Sequence, residues 1–266
     1  MIDNLLSINQ LKGEKMKKIM ISALAVSSLA MAGGDIVPVE PVTPDIVVTD
    51  SWQNSAAIYL YGAGIGGATT TGQEVDISFT DIVDNLDFGY MGHFDARKGK
   101  WTVALDAIYL KVRPRDIASS PGPIDTLEFR SWIVTPYAAY NIMDSDQWDI
   151  NLLAGARYIY MKPELTFGAR VPGPGSVTLS DSNWDGIVGM KGNYKLNDKW
   201  FMPFHFDVGS GESTMTWQAF AGIGYQYENV DLVVGYRQME WEFDDAFVGF
   251  TDFDLSGPMI GAKFKF

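Results

Sequence analysis

Residues 217–227 read WQAFAGIGYQY, and this stretch shows the pattern that decides the fold. Apolar and aromatic residues occupy every second position, and glutamines and glycines occupy most of the positions between them. A β-strand points successive side chains to opposite faces, so this stretch has one apolar face and one polar face. Trp217 stands at one end of the apolar face, and Tyr225 and Tyr227 stand at the other. The pattern predicts a strand about as long as a membrane is thick, with an aromatic residue at each interface.

The same alternation recurs along the chain and predicts ten strands. The segments 101–109, 148–158 and 184–194 repeat it most clearly, each with an aromatic residue near both ends of the apolar face. The predicted strands are residues 55–66, 84–97, 100–112, 127–141, 147–160, 184–196, 199–209, 215–227, 230–242 and 253–266. Short connections alternate with longer or glycine-rich ones, which is typical of membrane barrels. Eight strands remain the alternative, if two of the shorter segments extend loops.

The charges within the strands favour a membrane barrel over a soluble one. Asp106, Arg157 and Lys191 lie on the face opposite the apolar residues. If the apolar face meets lipid, these charges must point into a wet or ion-paired interior. A soluble barrel would reverse the two faces, and a soluble β-sandwich is the other all-β alternative. The sequence therefore predicts an all-β fold, a closed antiparallel transmembrane β-barrel.

Composition and charge exclude several classes of function. The chain has no cysteine, which excludes thiolate metal sites and thiol catalysis. Its formal net charge is −13, and it has no basic cluster, so nucleic acid is not an expected partner. Aromatic residues make up 13% of the chain and glycines number 27, which suits a barrel of many strands.

The N-terminal region has the features of an export signal. Residues 17–32 read KKIMISALAVSSLAMA, which is a positive region, an apolar region and a small-residue cleavage site in that order. The expected organisation is an upstream extension from a mis-assigned start (1–15), a cleaved signal peptide (16–32), a proline-rich periplasmic lead (33–53) and the barrel (54–266). The expected location is the outer membrane of a Gram-negative bacterium.

The last strand reads GPMIGAKFKF and has its own implication. Ile260, Ala262, Phe264 and Phe266 share one face, and this pattern resembles the C-terminal signal that the barrel-assembly machinery reads. An amphipathic strand with a free edge can be captured by strand addition. The expected partners are therefore this machinery and periplasmic chaperones during biogenesis, with outer-membrane lipid and lipopolysaccharide afterwards.

Three stretches carry a resemblance to a known family. They read DNLDFGYMGHFDARKGKW, SDSNWDGIVGMKGNYKLNDKW and VDLVVGYRQMEWEFDD. Together with the last strand, they resemble small proteobacterial outer-membrane barrels of the OmpA/OmpW-like kind over residues 54–266. The resemblance implies an architecture and no particular activity. A peptidoglycan-binding domain of the full OmpA pattern is not expected after the predicted barrel.

The alternation assigns a set of charged side chains to the barrel interior. The predicted lumenal network consists of Asp87, His93, Asp95, Asp106, Asp149, Arg157, Asp185, Lys191, His205, Asp207, Arg237 and Lys263. Small barrels have interiors just wide enough for side chains to fill, and buried charges must be paired. A largely filled lumen is the first interpretation, and a narrow selective pore or a passive porin for small solutes is the alternative.

The two histidines lie in the same tripeptide, His-Phe-Asp. His93 and Asp95 share one strand face, as do His205 and Asp207, because the residues of each pair are two positions apart. Imidazole beside carboxylate can bind a metal or move a proton, so these four residues are weak metal candidates and an enzymatic barrel is the rival hypothesis. Two structural hydrogen-bonded pairs are the plainer interpretation. No catalytic residue, no metal and no cofactor is therefore expected.

Overall fold

The computed structural model describes residues 51–72, 74–113, 124–167 and 175–266, and these form a sheet of thirteen strands with one short helix. The elements are β1 (Gln53–Tyr61), β2 (Gly64–Thr69), β3 (Glu74–Ile77), α1 (Phe79–Asp84), β4 (Leu86–Lys98), β5 (Trp101–Val112), β6 (Ile124–Asp144), β7 (Trp148–Phe167), β8 (Ser176–Thr178), β9 (Asp181–Lys195), β10 (Trp200–Gly211), β11 (Met215–Gln226), β12 (Val230–Phe247) and β13 (Phe250–Lys265). The predicted upstream extension, signal peptide and most of the lead lie outside the described residues. No described helix has the length and apolar character needed to cross a bilayer.

The sheet closes on itself through the first and last strands. Neighbouring strands pair in the order β1, β4, β5, β6, β7, β9, β10, β11, β12 and β13, and β13 pairs back to β1 from Ser55–Lys265 to Tyr61–Met259. All these pairings are antiparallel. The ten-stranded closed barrel predicted from the sequence is confirmed, and the eight-stranded alternative is wrong.

The two ends of the barrel differ in their connections. We call one end of the barrel the lower end. It carries the start of β1 at Gln53, the last residue Phe266 and the four short turns that precede β5, β7, β10 and β12. The upper end carries the short hairpin of β2 with β3, the helix α1 and the tips of the longest strands. Ser78 caps α1, because its hydroxyl accepts the Asp81 backbone N–H at 3.3 Å.

The outward face of the barrel is an apolar belt between two rings of aromatic side chains. The lower ring includes Trp101, Tyr140, Trp148, Tyr194, Trp200 and Tyr225, and the upper ring includes Tyr90, Tyr109, Trp132, Tyr158, Trp184 and Tyr236. Between the rings, exposed side chains such as Leu105, Val188 and Val234 form the belt. From Trp101 to Tyr109 the strand advances about 26 Å at ~3.3 Å per residue, similar to the apolar band of membrane barrels.

Above the upper ring, the polarity of both faces inverts. On β5 the outward side chain after Tyr109 is Lys111, which pairs with Asp87 at 3.0 Å and Glu128 at 3.7 Å. On β12 and β13 the outward positions beyond Tyr236 include Glu240 and Asp254, which face each other across the two strands. A polar outer face is expected where the wall leaves lipid and enters water.

The interior above the charged residues is an apolar core. It contains Tyr59, Tyr61, Ala63, Ile65, Ile82, Ile108, Leu110, Val112, Ile133, Ile159, Met161, Met239, Trp241, Phe243, Phe247, Phe253 and Leu255. Trp241 and Phe253 are almost fully buried, with ring centroids 5.8 Å apart. The sequence prediction of a charged interior is therefore incomplete, because the upper part of the barrel is filled like the core of a soluble protein.

Several strands are longer than the sequence predicts. The uppermost pair between β6 and β7 is Ile124 with Phe167, and β12 extends to Phe247. Residues 161–167 and 243–247 were expected in loops. A tight turn at Val248 and Gly249, both with positive φ, connects β12 directly to β13. The extensions lie above the upper ring. There the apolar side chains point inward, so the sequence lacks the outward apolar face by which a membrane strand is recognised.

Replacing Trp241 with alanine tests the upper core. Removing a fully buried indole leaves a cavity, so Trp241→Ala should lower the free energy of unfolding by about 3–5 kcal/mol. Trp52, which precedes β1 and is 55% exposed, provides the matched control, and Trp52→Ala should have a much smaller effect. Equilibrium urea unfolding in lipid vesicles, followed by tryptophan fluorescence, measures both. Equal effects of the two substitutions would contradict a packed core above the belt.

Candidate functional site: the charged interior

Arg237 is the centre of the hydrogen-bond network inside the barrel. Its guanidinium donates to Asp106 Oδ1 at 3.0 Å, to Gln218 Oε1 at 2.6 Å and to the Tyr59 hydroxyl at 3.1 Å. The Tyr59 hydroxyl in turn donates to Asp106 Oδ2 at 2.9 Å. Asp106 is on β5, Tyr59 on β1 and Arg237 on β12, so this cluster joins strands up to four apart around the barrel. A planar guanidinium with five N–H donors suits such a junction.

A second ion pair lies beside the first, on the other side of Gln218. Arg157 on β7 donates to Asp207 Oδ1 on β10 at 2.6 Å and to the Thr216 hydroxyl at 3.0 Å. Arg157 and Asp207 are both fully buried. His205 Nε2 lies 2.7 Å from the other oxygen of Asp207. Asp207 therefore links the predicted His-Asp pair of β10 to the ion pair that spans three strands.

The second His-Asp pair belongs to a separate group around Asp95. The Asp95 carboxylate accepts the Ser55 hydroxyl at 2.7 Å and pairs with Lys263 Nζ at 2.8 Å. His93 Nε2 lies 3.5 Å from Asp95, and its Nδ1 lies 3.6 Å from Asp106. This group joins β13, β1, β4 and β5, and it includes the seam where the barrel closes.

Tyr137 brings the two histidines into one environment. Its ring centroid is 6.1 Å from that of His93 and 5.9 Å from that of His205. The Lys191 ammonium donates to the Tyr137 hydroxyl at 2.8 Å. Among the described residues, Lys191 forms no ion pair with a carboxylate. The cluster of His93, Tyr137, Lys191 and His205 forms the inner end of a cavity of about 400 Å³ that extends to the lower end of the barrel.

The lower end holds a further group of polar side chains. Asp149 pairs with Arg97 at 3.2 Å, and it accepts hydrogen bonds from the amides of Asn141 and Asn151. Arg97 also lies 3.5 Å from Asp144. Lys265 pairs with Asp231 at 2.7 Å across the β12–β13 pair. These contacts fix the strands next to the short turns.

The structure places most of the predicted network inside the barrel. His93, Asp95, Asp106, Asp149, Arg157, Lys191, His205, Asp207, Arg237 and Lys263 form the groups described above. Asp185 also points inward but lies nearer the upper end, where one carboxylate oxygen accepts the Ser213 N–H at 3.0 Å and hydroxyl at 2.7 Å.

Asp87 is the member of the predicted network that the structure places elsewhere. It pairs with Lys111 and lies 3.8 Å from Arg113, in the outward ion-pair group above the upper ring. The cause is an irregularity between Leu86 and Phe88, where the β4–β5 register shifts. A shift of one residue moves a side chain to the opposite face of a strand. The prediction that Asp87 is lumenal is therefore wrong.

Sequence reasoning missed the uncharged members of the site. Ser55, Tyr59, Tyr137 and Gln218 each bond to a charged group. Their alternation with outward apolar neighbours places them on the inner face, and that signal was available in the sequence. The sequence did not show which residues they would bond to, because each of these hydrogen bonds joins residues on different strands.

The arrangement favours structural pairing over a metal centre. Among the described residues, no group of three or more His, Asp or Glu side chains is placed to hold a metal ion. Each of the weak metal candidates His93, Asp95, His205 and Asp207 has a hydrogen-bond or ion-pair partner instead. Chemically, the site offers buried cations, two imidazoles and a cavity open to the lower end.

Comparisons with known proteins complete the description of the site. The sequence matches no protein-family model and no curated protein. The fold is similar to solved structures of other proteins. Neisserial surface protein A is 13% identical over 81% of this chain and 97% of its own, with a TM-score of 0.34. The attachment invasion locus protein Ail of Yersinia pestis is 12% identical over 82% of this chain and all of its own, with a TM-score of 0.36.

A third solved structure matches most of both chains. The translocator domain of the autotransporter NalP from Neisseria meningitidis is 13% identical over 99% of this chain and 98% of its own, with a TM-score of 0.39. At such identities and scores, the likenesses carry no argument about activity. The strand pairing alone establishes the fold.

The Arg157–Asp207 pair generates a quantitative prediction. Arg157→Met should lower the free energy of unfolding by about 3–5 kcal/mol, because it leaves the Asp207 charge buried with only His205 and no guanidinium. Arg157→Met combined with Asp207→Leu should recover much of that loss, because no unpaired charge remains. Urea unfolding in lipid vesicles measures both variants.

The control for this experiment is an ion pair outside the barrel. Arg113 is 46% exposed and pairs with Glu128 at 2.5 Å. Arg113→Met should change the unfolding free energy little, because water screens exposed pairs. If Arg157→Met were as mild as Arg113→Met, the pair with Asp207 would not hold the walls together.

Proposed function

We propose that this chain is a structural barrel of a Gram-negative outer membrane, with an interior closed to through passage. The observation that carries the proposal is the contrast between the outward and inward faces of the barrel strands. Outside, an apolar belt lies between two aromatic rings, which suits lipid and its two interfaces. Inside, the charged network and the apolar core follow one another along the barrel axis.

The interior contacts favour a closed barrel over a porin. A porin needs a continuous aqueous path between wide walls. Here the Arg237–Asp106 cluster crosses the interior at mid-height, and Trp241 and Phe253 fill the space above it. Among the described residues, the cavity that reaches the lower end stops at this cluster. A structural role accordingly has more support than a narrow pore or a passive porin.

The enzyme hypothesis has less support from the same contacts. A catalytic histidine needs a nucleophile or a substrate position beside it as well as a carboxylate. His205 contacts Asp207, which the Arg157 guanidinium already occupies. We therefore propose that the chain is not an enzyme. Contacts with outer-membrane lipid and lipopolysaccharide follow from the proposed location, whereas the assembly machinery and chaperones stay predictions.

The lipid-facing belt is tested with two substitutions on the same face of β9. Val188 lies within the belt and is 60% exposed. Ser182 lies two residues beyond Trp184, which belongs to the upper ring. Val188→Arg should destabilise the barrel in vesicles by about 2–4 kcal/mol, because its charge would stand in hydrocarbon. Ser182→Arg should be close to neutral, because its side chain stands in water. Equal unfolding free energies for the two variants would show that the belt does not meet lipid.

The closed interior is tested by conductance in planar bilayers. Full-length protein that floats with vesicles, and so has inserted, should give no discrete conductance steps. The triple variant Arg237→Ala/Trp241→Ala/Phe253→Ala, which removes the centre of the charged cluster and two of the largest side chains above it, should give steps under the same conditions. Discrete steps from the unsubstituted protein would contradict the closed interior and favour the narrow pore.

A further inference from the structure

The cavity at the lower end of the barrel is richer in positive charge than the chain around it. It is lined by the basic side chains Lys191, Lys195, Arg237, Lys263 and Lys265 and by only two acidic ones, Asp106 and Asp231. The whole chain, by contrast, has a formal net charge of −13. A cavity with several cations inside an acidic protein concentrates small anions and repels small cations.

Not all of these cations are neutralised by the protein itself. Lys263 pairs with Asp95, Lys265 with Asp231 and Arg237 with Asp106. Lys191 and Lys195 form no ion pair with any carboxylate among the described residues. A charge away from bulk water is costly unless it is paired. Lys191 donates to the Tyr137 hydroxyl at 2.8 Å, and the carboxylates of Asp95, Asp106 and Asp149 act on its charge only from beyond ion-pair distance, so none of them contacts its ammonium directly.

The strand register places Lys191 next to an aromatic surface. Lys191 on β9 faces His205 on β10, which faces Phe220 on β11, which faces Arg237 on β12. Four residues lower on β9, Lys195 faces Phe201, which faces Gly224 and then Val233. The two rows are about 13 Å apart along the strands, at ~3.3 Å per residue.

Two glycines beneath the aromatic rings of the cavity wall, Gly224 and Gly235, make room for those rings. The Phe201 ring lies over Gly224, where a Cβ atom would be 2.2 Å from it. The Phe220 ring lies over Gly235 in the same way, at 2.6 Å. With rings leaning over positions that have no side chain, the wall between the rows is apolar and the space in front of it is open. Met259 and Val233 extend this apolar surface.

We propose that this cavity binds a small diffusible organic anion with a flat apolar body, such as an aromatic carboxylate. The Lys191 ammonium holds the carboxylate, with His205 and Arg237 in the same row, and Phe201 and Phe220 contact the apolar body. A volume of about 400 Å³ lies within the usual range for small-molecule sites, which are mostly apolar with a few placed polar groups. The ligand enters from the lower end, so binding does not require the barrel to conduct.

The test uses 4-fluorobenzoate as the probe, observed by fluorine NMR with the full-length protein in an uncharged maltoside detergent. We expect saturable binding of 4-fluorobenzoate and at least tenfold weaker binding of the neutral amide 4-fluorobenzamide. Lys191→Met should raise the dissociation constant for the carboxylate about tenfold or more, because it removes a charge-assisted contact. Lys191→Arg, which keeps the charge, should bind within a few-fold of the unsubstituted protein.

Lys162→Met is the matched control. Lys162 lies on the outward face of β7 above the upper ring, away from the cavity, so this substitution should leave binding unchanged. The heat-dependent electrophoretic mobility of each variant shows whether the barrel is folded. If Lys191→Met does not fold, the binding of 4-fluorobenzoate and of 4-fluorobenzamide to folded Lys191→Arg still tests whether the cavity selects a carboxylate.

Three results would overturn the proposal. They are no saturable binding of 4-fluorobenzoate, equal binding of the carboxylate and the amide, and equal affinity in folded Lys191→Met. Displacement of the probe by an equal concentration of inorganic phosphate would also overturn the part assigned to the aromatic wall. The binding experiment is independent of the conductance experiment, so the failure of one is distinguishable from the failure of the other.

Discussion

The closure of the sheet between β1 and β13 is the constraint on which the rest of the structure depends. Within hydrocarbon no water can satisfy a free backbone N–H or C=O, so a membrane sheet cannot keep an open edge. The register from Ser55–Lys265 to Tyr61–Met259 satisfies both edges at once. Ten strands joined in this way enclose an interior of limited width, and every inward side chain must find its partner there.

The interior meets this requirement differently at different heights. At mid-height, where the outer face meets lipid, the inward side chains are charged, and Arg237 and Arg157 each bond to residues on two or more other strands. Above the upper ring the outer face carries charges and the inner face is apolar. The same strands therefore face lipid at mid-height and water above the upper ring. Their side chains alternate between the two faces along the whole strand, and only the polarity of the residues on each face changes.

The sequence predicted the strands within the belt better than the strands above it. A period of two with apolar residues outside is easily recognised between Trp101 and Tyr109, and the structure confirms it there. Beyond Tyr236 the apolar residues lie inside, so residues 243–247 resemble a loop when a membrane strand is sought. Asp87 was misplaced for a related reason, because a local register shift is set by the pairing of β4 with β5 and leaves no mark on β4 alone.

The sequence by itself determined the fold class and the face on which nearly every charge lies, because these follow from a period of two along single strands, and it favoured ten strands over eight. It also placed each histidine beside its aspartate, since residues two apart share a face. Only the tertiary structure decided that Tyr137 lies between the two histidines and that Lys191 faces an apolar wall. Those neighbours come from strands far apart in the chain, and the shear and closure of the whole barrel set which residues meet.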